Sequence, residues 1–92
     1  MTTDNQNLVS VSIPQMRAYL KSIGFERFGE VGKSTTFRHL ESGTIVTLTQ
    51  PMQGDLVRAA DFLSIKIRLA TEQLVSEDAV ATFNQGRLPI AS

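Results

Sequence analysis

The chain has no cysteine and no tryptophan, and only one histidine, one tyrosine and three prolines in 92 residues. Without cysteine there is no disulfide scaffold, no thiolate metal centre and no cysteine nucleophile. The absence fits a reducing compartment. A single histidine, His39, leaves no second imidazole for a histidine-based metal site. No apolar run approaches the roughly 18 residues of a membrane span. Met1 to Asn7 is polar and includes Asp4, unlike the basic and then apolar layout of a secretory signal. The expectation is a cytoplasmic protein with no membrane partner. Net charge is lacking too, because nine basic and nine acidic residues cancel.

What is present reads as one globular domain. Hydrophobic residues make up 41% and charged residues 20%, a balance that disordered chains do not show. The charge is unevenly spread. Arg17 to Arg68 holds eight basic against five acidic residues, whereas 69–92 holds Arg87 against Glu72, Glu77 and Asp78. A small positive excess in the middle hints at a polyanion partner, far short of a basic footprint. A mixed solvated surface is the plainer explanation.

The period of the apolar residues predicts the elements. Residues 1–11 read as a polar tail. Ser12-Ile13-Pro14-Gln15 then combines a capping serine, a proline in the first turn and glutamine at the return position of a capping box. Ile13, Met16, Leu20 and Ile23 follow at helical spacing, and Gly24 is a stop. Phe25–Glu30, Ser34–Leu40 and Thr44–Thr49 read as three short strands. Short connections at Gly32 and Glu41-Ser42-Gly43 favour an antiparallel meander. Gln50 to Gly54 ends it with a proline and a glycine.

From Asp55 to Leu74 the pattern is helical. Leu56, Ala60, Leu63, Ile67, Ala70 and Leu74 form one stripe, and Phe62, Ile65 and Leu69 form a second. Ile65 to Leu69 also alternates strictly, as a strand would, but the longer helical pattern continues on both sides. Ser76-Glu77-Asp78 opens a last short helix, with acidic residues in its positive first turn. Residues 87–92 read as a second tail, leaving a domain over 12–86. The predicted fold class is α+β, in the order α-β-β-β-α plus a C-terminal helix, with a three-stranded antiparallel sheet covered by helices.

Few groupings carry chemistry. Gly32-Lys33-Ser34 matches the end of a phosphate loop, yet the glycine required five positions earlier is Arg27, and a strand follows where a helix is needed. The carboxylates are scattered, with no calcium-type loop. No Gly-x-Ser-x-Gly elbow supports a serine nucleophile. No catalytic residue, metal site or cofactor is therefore assigned.

Gly24-Phe25, "GKSTTFRH" (Gly32–His39) and "SGTIVTL" (Ser42–Leu48), between two helices, resemble the HicA-type toxins. These small double-stranded-RNA-binding-like domains have the order α-β-β-β-α. In that family the helix ends in "GW" or "GF". The next strand begins Gly-Ser-His-His and often closes in Arg-His or Lys-His, and a "DG…VTVP" hairpin arm follows. Gly24-Phe25, Gly32, Arg38 and His39 align with these, and Gly43 with Val46-Thr47-Leu48 resembles the arm with one extra turn residue. The resemblance spans roughly residues 13–70. It implies an RNA-facing surface. It also implies loss of the nuclease, because the paired histidines fall at Ser34 and Thr35, which cannot act as acid or base near neutral pH.

Two binding surfaces follow as candidates. Arg27, Lys33, Arg38 and His39, with Arg58, Lys66 and Arg68 further along, can meet phosphates, since duplex RNA is read largely by shape and backbone. The alternative is that these cations pair with Glu26, Glu30, Glu41 and Asp61. Phe62, Ile65 and Leu69 are the candidate interface for a homodimer or a small protein partner. The alternative there is that the C-terminal helix folds back and Val80 and Phe83 cover them. The sequence favours a non-catalytic, self-associating binding module, with an RNA-binding or ribonuclease-toxin domain as the second reading.

Overall fold

A computed structural model of the protein describes residues 9–89. The elements are α1 (Ile13–Ser22), β1 (Phe25–Val31), β2 (Ser34–His39), β3 (Ile45–Thr49), α2 (Ala59–Thr71) and α3 (Glu77–Phe83). The expected α+β order, with its antiparallel β1-β2-β3 sheet, is present.

α1 starts where its capping box dictates. The Gln15 N–H donates to Ser12 Oγ at 3.2 Å, and the Ser12 N–H donates back to Gln15 Oε1 at 2.8 Å. Reciprocal caps of this kind satisfy two of the orphan donors at a helix start. The helix ends at Ile23, and Gly24 turns the chain at φ 103°. A Cβ on Gly24 would sit 3.0 Å from His39 Nε2. Glycine is thus required there twice, by the backbone angle and by the space.

The sheet follows the alternation of its residues. Phe37, Thr35 and His39 of β2, with Val46 and Leu48 of β3, point into the core. Ser34, Thr36 and Arg38, with Ile45, Thr47 and Thr49, line the opposite face, in register with one another. β1 carries a bulge between Arg27 and Gly29, which absorbs Phe28 and sharpens the local twist. α1, α2 and α3 supply Met16, Leu20, Phe62, Ile65, Leu69 and Phe83 to the core over the first face.

The structure departs from the sequence reading in three places. First, α2 runs from Ala59 to Thr71, not from Asp55 to Leu74. The preceding backbone is already committed: the Ile13 N–H donates to the Asp55 carbonyl, and the Val57 N–H to the Val11 carbonyl. Residues 55–57 therefore pair with the chain entering α1 and cannot wind. Second, Val11 and Leu88, which lie just outside the expected limits of 12–86, are buried with the core. The remainder of the two expected tails, residues 1–8 and 90–92, lies outside the described residues. Third, the stripes on α2 exchange roles. Phe62, Ile65 and Leu69 are buried, while Leu63 and Ile67 are half exposed on the outer side.

Phe62, Ile65 and Leu69 are accordingly core, not an exposed interface. α2 lies over β3, and α3 folds back as the alternative required. The Phe83 ring sits 5.2 Å from that of Phe62 and 5.7 Å from that of Tyr19. Burying each of these large side chains contributes about 1.5–3 kcal/mol, so the bulkier stripe wins the inward position. Ile65 to Leu69 is helical throughout.

Candidate functional site

The structure separates the four predicted phosphate contacts. Lys33 is exposed in the β1–β2 turn, beside Gly32. Arg38 projects from the open face of the sheet, with its guanidinium 4.7 Å from the centre of the Phe28 ring. Arg27 stands on β1 opposite Phe37, at the sheet edge nearest α1. His39 is buried, at 8% exposure.

His39 is built into the scaffold. Its Nε2 lies 3.0 Å from the Ile23 carbonyl oxygen, an acceptor, so Nε2 carries the proton and donates. Its Nδ1 lies 3.2 Å from the Ser42 backbone nitrogen and accepts that N–H. The ring also meets Phe25 edge-on, with centroids 5.0 Å apart. One imidazole thus joins the end of α1, the β2–β3 turn and the core. Both ring nitrogens are occupied, and the residue is buried. Ser34 and Thr35 are occupied as well, by Thr49 Oγ1 at 3.1 Å and Glu30 Oε2 at 3.4 Å respectively. Among the described residues no group of three or more metal-ligating side chains assembles.

A different set of cations converges. Arg17 and Lys21 are one turn apart on α1, on the flank left exposed when Ile13, Met16 and Leu20 turn inward. Together with Arg27 they line a cleft of about 380 Å³ between α1 and β1. Its other walls are Phe25 and Phe37, both buried, and Glu26. No hydrogen bond or ion pair joins the three cations to a carboxylate among the described residues. The pairing with Glu26 and Glu30 that the sequence allowed does not form there.

The electrostatics favour an anion. Side chains at i and i+4 stand roughly 6 Å apart. Two unit charges at that distance repel by about 0.7 kcal/mol in water. An anion seated between them removes that penalty and adds attraction of its own. Arginine can grip a phosphate through two parallel N–H bonds, with lysine as a neighbouring point charge. The sequence held a signal for this site in the i, i+4 spacing of Arg17 and Lys21. Arg27 joins them only because β1 runs back alongside α1.

A larger groove of about 610 Å³ lies between α1, the α2–α3 turn and Pro89, lined by Tyr19, Ile23, Leu74, Val75 and Ala79 among others. Three of its polar side chains are engaged locally: Gln15 with Ser12, Ser22 with the Tyr19 carbonyl, and Ser76 with the Ala79 N–H. Burial raises the pKa of Tyr19 above its ordinary value of 10.0. No helix of the described residues is long and apolar enough to cross a membrane.

Comparison with protein-family models, with curated proteins and with solved structures gave no match to this chain.

Proposed function

We propose that the protein is a non-catalytic binding module whose α1–β1 cleft holds the phosphate backbone of duplex nucleic acid. The observation that carries this is the convergence of Arg17, Lys21 and Arg27 on one concavity without a carboxylate partner among the described residues. Repeating backbone charge suits a row of cations better than a single anionic group does. The aromatic walls are buried, so bases have nothing to stack on, and stacking is what single strands require. Duplex is therefore preferred over single strand.

The occupied imidazole of His39, and the hydroxyls of Ser34 and Thr35 bonded to Thr49 and Glu30, support binding without cleavage. The resemblance to HicA-type toxins is consistent with this as a shared shape put to use without the nuclease.

Three phosphate contacts give an expected slope of about −2.7 for log K against log salt on a duplex. Affinity then falls about 40-fold between 50 and 200 mM salt, and about 12-fold in a variant with one contact fewer. Fluorescence anisotropy with labelled duplex RNA, duplex DNA and single-stranded RNA measures this. Arg17→Gln, Lys21→Gln and Arg27→Gln should each lower the slope by about one. A folded wild-type protein that binds no duplex at 50 mM salt and 200 μM protein would sink the proposal. So would a slope unchanged in the triple variant.

A further inference from the structure

The helices cover one face of the sheet, and the other face is open. We infer that this open face, built from Phe28, Val31, Arg38 and Ile45, is a two-fold contact surface for a second copy of the chain.

Phe28 is 57% exposed, Val31 81% and Ile45 44%. They lie on the same face as Thr36 and Thr47, and their arrangement follows from the strand register. Apolar side chains gathered on one pleated surface mark association more strongly than single exposed residues elsewhere. Leu63 and Ile67 on α2 are also half exposed, but Ile67 shares its shallow pocket with polar Ser64, Arg68 and Thr71.

Charge complementarity identifies the occupant. Glu26 on β1 is the register partner of Arg38 on β2, so the face bears one charge of each sign. The two are not ion-paired to each other. The Arg38 guanidinium carbon sits 4.7 Å from the centre of the Phe28 ring. A two-fold contact needs a self-complementary surface. Turning one copy onto another across an axis between these positions sets Arg38 against Glu26 of the partner subunit, twice. The zero net charge of the chain adds no overall repulsion.

The sheet edges are less suited to association. The Thr49 N–H on the free side of β3 is capped by Asp61 Oδ2 at 2.9 Å, and β1 is bent by its bulge. Both devices oppose edge-to-edge growth, whereas among the described strand residues Glu26 and Arg38 alone put charge on the face.

The size of the face sets the strength. Three strands about 4.8 Å apart and six residues at about 3.3 Å give a flat footprint on the order of 300 Å². A standard interface uses about 800 Å² per partner. A footprint this small fits a weak, transient contact.

Sedimentation velocity of the full chain from about 5 to 500 μM provides the test. The expected result is a weight-average mass rising toward the dimer. Ile45→Lys should weaken association at least tenfold while circular dichroism and thermal melting stay close to wild type. Glu26→Arg and Arg38→Glu should each weaken it, and the double exchange should restore it. A strict monomer at 500 μM overturns the inference. So does association that survives Ile45→Lys but is lost in Leu63→Lys with Ile67→Lys, since that outcome moves the contact to α2.

Discussion

Replacing His39 by alanine separates a structural histidine from a chemical one. The substitution removes the donor to the Ile23 carbonyl, the acceptor for the Ser42 N–H and the edge contact with Phe25. Each hydrogen bond contributes about 1 kcal/mol net, and the aromatic contact about another. The expected destabilisation is therefore about 3 kcal/mol. For a domain of this size, that lowers Tm by roughly 12–24 °C. Urea unfolding followed by circular dichroism reads the change directly. His39→Gln can keep a donor near the position of Nε2 and should recover about 1 kcal/mol of the loss. Gly24→Ala should perturb the same junction, because its methyl group would press on the ring at φ 103°. A loss under 1 kcal/mol in His39→Ala would refute the scaffold role. RNA breakdown by wild type that disappears in a stably folded His39→Gln variant would show that the imidazole acts on substrate.

Three further outcomes follow from named contacts. α2 closes in a Schellman motif, with the Leu74 N–H bonded to the Leu69 carbonyl and the Gln73 N–H to the Ala70 carbonyl, yet the left-handed position is Gln73 at φ 57°. Gln73→Gly should raise stability by about 0.5–1 kcal/mol in urea unfolding. Asp61→Ala frees the Thr49 N–H at the β3 edge. It should cost about 1 kcal/mol and increase light scattering at high concentration. Tyr19, the only tyrosine, has its pKa raised by burial above 10.0. The folded state therefore holds its proton where the unfolded state releases it. That contribution to stability is complete below pH 10 and is lost as pH rises through the folded pKa. Tm should fall above pH 10 less steeply in Tyr19→Phe than in wild type, and absorbance near 295 nm reports the titration.

The sequence by itself determined the local elements, because their causes are local. Ser12, Pro14, Gln15 and Gly24 mark both ends of α1 through capping and backbone freedom. Alternation in Thr44–Thr49 assigned Val46 and Leu48 to one face and Ile45 and Thr47 to the other, as found. The lack of cysteine and of a second histidine limited the chemistry before any fold was known.

Tertiary structure decided which faces were used. Both apolar stripes of α2 have helical period, and only the position of β3 and the return of Phe83 selected Phe62, Ile65 and Leu69 as core. The start of α2 was not legible either, since residues 55–57 are held by backbone bonds to residues 11–13, more than 40 positions away. The end of α2 was obscured because glutamine, not glycine, occupies the left-handed position. The candidate site shows the same division. Arg27, Lys33, Arg38 and His39 are close in sequence, but strand alternation sends neighbouring side chains to opposite faces. Arg27 met Arg17 and Lys21 across the α1–β1 turn, Arg38 went to the open face, and His39 went into the core. Spacing along the chain fixes which side chains can share an element. Only the packing of those elements fixes which of them share a site.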